Sequence, residues 1–137
     1  MTARVLVVDD DPGVLGWMVR VLVQAGYEVF PAARVRQARI ARGPFAALVL
    51  DIGLPNGGPH DVQLAHPGVP TITISGDPAR EPDLRKPFFS GDLLAAVESL
   101  IGAVWLPQHM ERRARARRVS DLRDRPSGDM ILGPGEP

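Results

Sequence analysis

The stretch VLVVDDDPG, residues 5–13, runs four apolar residues without alternation straight into three aspartates and then Pro12-Gly13. An apolar run of this length, closed by turn residues, reads as a strand buried on both faces, Val5 to Val8. Such strands belong to parallel sheets covered by helices on both sides. Asp9, Asp10 and Asp11 then stand at the strand's C-terminal end, where open α/β sheets bind their ligands. Clustered carboxylates repel one another. A divalent cation relieves that repulsion, and Mg²⁺ takes one or two carboxylates plus water. The competing reading is a helix cap, since an aspartate before Pro12 is also a good N-cap. Both readings stay open on this stretch alone.

Strands and helices alternate outward from it. A helix is expected from Pro12 to about Ala25, with Val14, Met18, Val21 and Leu22 at helical spacing and Gly26 as its stop. Tyr27–Phe30 reads as a short strand and Val35–Arg42 as a helix, with Val35, Ala38 and Ile40 on its thin apolar side. Phe45–Leu50 is a third strand, apolar throughout and followed by Asp51. After a Gly/Pro-rich loop, Asp61–His66 has room for a turn or two of helix. Val69–Ile74 is a fourth strand ending at Ser75-Gly76, and Leu84–Lys86 a stub of a fifth. Ser90 is a candidate N-cap for a helix from Gly91 to about Ala103. The fold class is therefore α/β, a doubly wound five-stranded parallel sheet.

Length and composition fit one domain: 137 residues, 45% apolar, no cysteine, formal net charge zero. Without cysteine there is no disulfide framework and no thiolate metal site. The three histidines show no ligand spacing. Trp17 reads as partly exposed or partner-facing. No apolar run reaches membrane-spanning length and no signal peptide is visible, so a cytoplasmic location without membrane contact is expected. The charge is uneven: residues 105–137 hold seven arginines against five acids.

The polar residues converge. Asp9, Asp10, Asp51 and Ser75 each follow an apolar strand, and Lys86, before Pro87, closes the fifth. In a parallel sheet these ends share one rim. Carboxylates, a hydroxyl and an ammonium gathered there form a candidate site.

At this point the chain resembles the receiver domain of two-component response regulators. The matching pieces are VLVVDDDP, LVLDIGLP, TITISG and RKPF, in the family's order, within residues 4 to about 104. The resemblance implies that Asp51 accepts a phosphoryl group from a sensor histidine kinase or phosphotransfer protein. It implies that Asp9, Asp10 and Asp51, with the backbone carbonyl of Gly53, hold Mg²⁺. Ser75 matches the switch hydroxyl, and Lys86 the lysine before a proline usually joined through a cis peptide. The protein would then be a phosphoacceptor signalling domain rather than an enzyme, controlling contacts with an unknown downstream protein. Asp11 matches no metal role and is read as a helix cap.

Two departures from the family pattern stand out. Only ten residues, Gly76 to Arg85, separate Ser75 from Lys86, where the family has a longer span holding a helix. Pro78 and Pro82 interrupt this segment, so the fourth helix is expected to be shortened or missing. Asp83 replaces the switch aromatic three positions before the lysine. These losses fall on the face that many relatives use for partners. The second departure is the segment 105–137, which has no family match. It is expected to be an arginine-rich extension, partly helical and then disordered from Ser127, offering a partner surface or homodimer contact. The domain is set at 1–104, and nucleic acid is an improbable partner because no second DNA-binding domain fits in the remainder.

Two alternatives remain. A haloacid-dehalogenase-type phosphatase also begins with a strand into Asp-x-Asp, which Asp9 and Asp11 satisfy, but Gly13 departs from its pattern and Asp51 would have no role. A degenerate receiver would bind partners without phosphorylation.

Overall fold

The computed structural model describes residues 2–54 and 58–105. The expectations for the arginine-rich segment lie outside these residues. The elements run β1 (Arg4–Val8), α1 (Pro12–Gln24), β2 (Glu28–Ala32), α2 (Val35–Ile40), β3 (Ala47–Asp51), α3 (Pro59–Ala65), β4 (Thr71–Ser75), β5 (Leu84–Arg85) and α4 (Ser90–Trp105). The five strands form one sheet in the order β2-β1-β3-β4-β5, and every pairing is parallel.

The unbroken apolar runs serve two cores at once, because successive strand side chains point to opposite faces. Val5, Val7, Ala47 and Val49 pack on one face with Val14, Met18 and Leu22 of α1 and Leu93, Val97 and Ile101 of α4. Leu6, Val8, Leu48 and Leu50 pack on the other with Val35 and Ala38 of α2 and Val62 of α3. The central strands β1 and β3 thus need apolar residues at every position from Val5 to Val8 and from Ala47 to Leu50, as their sequences supply.

Local chemistry sets the helix ends. The Asp11 carboxylate accepts from the backbone N–H groups of Gly13 (2.8 Å) and Val14 (3.2 Å), capping α1 as expected. Gly26 follows at φ 100°, a left-handed conformation that glycine adopts without penalty. Helix α2 stops at Ile40, two residues earlier than its apolar pattern suggests, because Ala41 is already extended. Ile40 consequently lies outside the core, 73% exposed. Strand β2 is shifted along the chain by one to two residues and carries Pro31, tolerated because β2 is an edge strand. Ser90 is the first residue of α4 rather than its cap; the Asp92 carboxylate instead accepts from the Phe89 N–H at 3.0 Å.

The helix between β4 and β5 is absent. Residues 76–83 form turns and irregular chain, held by side chains. The Asp83 carboxylate accepts from the Thr73 N–H at 2.9 Å and the Thr73 hydroxyl at 3.1 Å, while the Thr73 hydroxyl oxygen accepts from the Asp83 N–H at 3.0 Å. The Arg85 guanidinium donates to the carbonyls of Asp77 (2.8 Å) and Arg80. Strand β4 matches this missing cover. Ile72 and Ile74 face the α1/α4 core, whereas Thr71 and Thr73 share the opposite face and are only half-buried.

Candidate functional site at the carboxyl edge of the sheet

The sheet brings the sequence-predicted groups to one edge. Asp9 and Asp10 follow β1, Asp51 ends β3, Ser75 ends β4 and Lys86 follows β5. Their environments differ sharply. Asp9 is fully buried, Asp51 is 7% exposed and Ser75 2%, while Asp10 is open to solvent.

Lys86 joins the two buried carboxylates. Its ammonium donates to Asp9 Oδ2 at 2.7 Å and to Asp51 Oδ2 at 3.5 Å. The other oxygens are held by backbone: Asp9 Oδ1 accepts from the Asp11 N–H and Asp51 Oδ1 from the Gly53 N–H, each at 2.9 Å. These bonds fix the positions of both carboxylates.

Burial raises the Asp9 carboxyl to about 6, and the negative Asp51 adds to this; the Lys86 ammonium and the Asp11 N–H only partly offset it. Burial alone would depress Lys86, but its bond to Asp9 and the fields of Asp9 and Asp51 outweigh that and raise it. One ammonium faces three carboxylates, so the rim is short of positive charge.

Oxygens of Asp9, Asp10 and Asp51 lie within 4.8 Å of one another. This is an all-oxygen, hard donor set of the kind Mg²⁺ takes. The spacing and chemistry of these oxygens fit such an ion. A Cβ placed on Gly53 would meet Asp51 Oδ1 at 3.5 Å, an ordinary contact, so steric crowding does not demand glycine there.

Ser75 sits on the same rim, but its hydroxyl oxygen accepts from the Asp77 N–H at 3.0 Å. The Ser75 carbonyl accepts from the Lys86 N–H at 2.9 Å, tying the ends of β4 and β5 together. The Lys86-Pro87 peptide is cis. Beyond it, Phe88 is buried against Trp17, edge to face at 5.8 Å. His66 is structural: it is buried, its Nε2 lies 2.7 Å from the Ala38 carbonyl and its ring meets Phe45.

Three features were not read from the chain. Asp83 takes the place of a ladder partner for Thr73, and Asp77 holds the Ser75 hydroxyl. A cleft of about 730 Å³ also opens beside Asp10, with Arg34 and Arg36 on its wall. The strict Thr-Ile alternation of TITIS did signal a half-solvated strand.

Comparison with known proteins agrees with this architecture. No family model matches the chain, and no curated protein matches it. Among solved structures, a CheY-like response regulator receiver domain protein from Methanospirillum hungatei is 23% identical, with a TM-score of 0.64, covering 82% of this chain and 99% of its own. A response regulator receiver protein from Sinorhizobium medicae is 25% identical, with a TM-score of 0.65, covering 74% and 96% respectively. The non-phosphorylated HemR receiver domain from Leptospira biflexa is 24% identical, with a TM-score of 0.65, covering 77% and 98%. The chain has the fold of a response regulator receiver domain, with the helix between β4 and β5 missing. No described helix is long and apolar enough to cross a membrane.

Proposed function

We propose that this protein is a single-domain response regulator in which Asp51 accepts a phosphoryl group from a histidine kinase or phosphotransfer protein. The observation that carries the reading is Lys86, bonded to both Asp9 and Asp51 at the edge where Asp10 stands open. Asp9, Asp10, Asp51 and the Gly53 carbonyl would hold Mg²⁺, which supplies charge neutralisation for the incoming phosphoryl group. Phosphoryl transfer asks mainly for positioning and electrostatic stabilisation, which suits a weak carboxylate nucleophile.

In the reaction, an Asp51 oxygen forms the new bond to phosphorus while the donor's phosphorus–nitrogen bond breaks. The leaving imidazole keeps that electron pair and takes a proton from solvent. The Gly53 N–H holds Oδ1 of Asp51, and Lys86 shifts its hydrogen bonds from the carboxylate to the phosphoryl oxygens. The Ser75 hydroxyl, whose oxygen accepts from the Asp77 N–H, then donates its proton in a hydrogen bond to a phosphoryl oxygen. The product is an acyl phosphate whose output is a changed set of protein contacts.

The phosphatase alternative loses ground because the Asp11 carboxylate is spent on capping α1. Incubation with Mg²⁺ and acetyl phosphate, followed by intact mass and peptide mapping, tests the proposal. One phosphoryl group on Asp51 is expected, absent in Asp51→Asn with the fold unchanged by circular dichroism. Undiminished labelling of that variant rejects the assignment, and no labelling of the wild type supports a phosphorylation-independent binding module.

A further inference from the structure

The α2 side of the domain carries a one-sided charge run. Residues 29–50 hold four arginines, Arg34, Arg36, Arg39 and Arg42, and no acid, although residues 1–105 as a whole have 9 Lys/Arg against 11 Asp/Glu. Arg36 and Arg39 are exposed. With Ile40 and Ala65 they line a groove of about 410 Å³ between α2 and α3. Ile40 at 73% and Leu64 at 66% are the two most exposed large apolar side chains among the described residues. Single exposed apolar residues mean little. Ile40 stands in the groove with Arg36 and Arg39, and Leu64 is the residue before Ala65 on the facing helix, which gives a surface suited to an acidic segment with an apolar centre.

The chain contains such a segment. Residues 127–136 read SGDMILGPGE: two acids, no base and the apolar triplet Met130-Ile131-Leu132. The preceding residues 112–125 carry seven arginines, so this is the part of the segment after Trp105 whose charge complements the groove. Reach is sufficient. The 22 residues from Trp105 to Ser127 span about 70 Å when extended, against a domain diameter of about 30 Å.

We propose that residues 127–136 dock in the α2–α3 groove of their own domain, with Asp129 and Glu136 meeting Arg36 and Arg39 and the apolar triplet covering Ile40 and Leu64. The groove shares Arg36 with the cleft beside Asp10, but none of Asp9, Asp10, Asp51, Ser75 and Lys86 lines it, and the proposal does not depend on phosphorylation.

The absence of cysteine permits a clean test. A nitroxide is attached to Ser127→Cys in the full ¹⁵N-labelled chain, and amide intensities are compared before and after its reduction. The amides of Arg39, Ile40 and Ala65 are expected to lose most of their intensity, unchanged on dilution. Arg36→Glu with Arg39→Glu should restore them, and adding Asp129→Arg with Glu136→Arg should bring the loss back. Ile40→Ser, a surface change, should restore them independently. The proposal is overturned by no localised broadening, by broadening centred elsewhere, by indifference to these substitutions, or by loss on dilution, which would assign the contact to a second copy.

Discussion

Protons and Mg²⁺ should compete for Asp9, and the competition should be visible between pH 5 and 7. Burial holds this carboxyl at about 6 rather than its usual 3.8. A cation needs the ionised form, so the apparent dissociation constant scales with one plus the ratio of proton concentration to the acid constant. The factor is about 1.1 at pH 7 and about 11 at pH 5, hence about tenfold weaker Mg²⁺ binding at the lower pH. A carboxyl left at 3.8 would change affinity by less than about 1.1-fold. Stability of the metal-free protein runs the other way. The folded-state value lies above the unfolded one, so the Asp9 contribution is complete below 3.8 and is lost as pH rises through about 6. Lowering pH from 7 to 5 should therefore add about 1.3 kcal/mol from this group. Calorimetric Mg²⁺ titrations at constant ionic strength, with melting curves with and without the ion, measure both effects. Equal Mg²⁺ affinity at pH 5 and pH 7 would refute the reasoning, since Asp9 would then be either unperturbed or no ligand.

Asp10→Ala should weaken Mg²⁺ binding while leaving the melting temperature of the metal-free protein unchanged or higher, because Asp10 is exposed and adds only like charge; titration and melting curves check this. Lys86→Ala strands two buried carboxylates and should cost the metal-free protein about 3 kcal/mol, measured by urea unfolding, with less lost at pH 5 than at pH 8. Thr73→Val removes the hydroxyl that both donates to and accepts from Asp83. It should cost about 1 kcal/mol and speed amide exchange at Arg85 and Lys86, read by hydrogen exchange.

The parts of the fold that were legible in the sequence are those buried on both faces. Strands β1 and β3 must be apolar throughout Val5–Val8 and Ala47–Leu50, and no helix of that length gives the same pattern between turn residues. Edge strand β2 was placed less well because EVFPA is half-solvated and carries a proline. Ile40 was misassigned to the core because periodicity does not reveal where a helix stops, and Ala41 leaves helical geometry first. The rim residues were legible as a set because strand ends in a parallel sheet share one side. Their division of labour was not. Asp9 and Asp10 look equivalent in sequence, and only Lys86, 77 residues further on, makes one a buried ion-pair partner and leaves the other open. The Asp83–Thr73 contact had no local signal, since it depends on the pairing of β4 with β5. The alternation in TITIS did announce the uncovered face, and reading those residues simply as a fourth strand left that signal unused.

The two residues of β5 have a thermodynamic consequence. The strand that delivers Lys86 pairs with β4 alone, over Ile74↔Leu84 and Ser75↔Arg85. Cooperative units of a protein open with free energies that follow their buried contacts and ladder bonds, and this edge has few of either. Asp9 and Asp51 sit at the ends of central strands, whereas their ammonium partner follows a two-residue edge strand. The assembled site is then a population as well as a geometry. Its occupancy is set by the opening equilibrium of residues 76–86, and anything that grips both sides of the rim, a cation or a phosphoryl group, draws that equilibrium closed by its own binding free energy. Ligation and the order of this edge are thus two readings of one linked equilibrium.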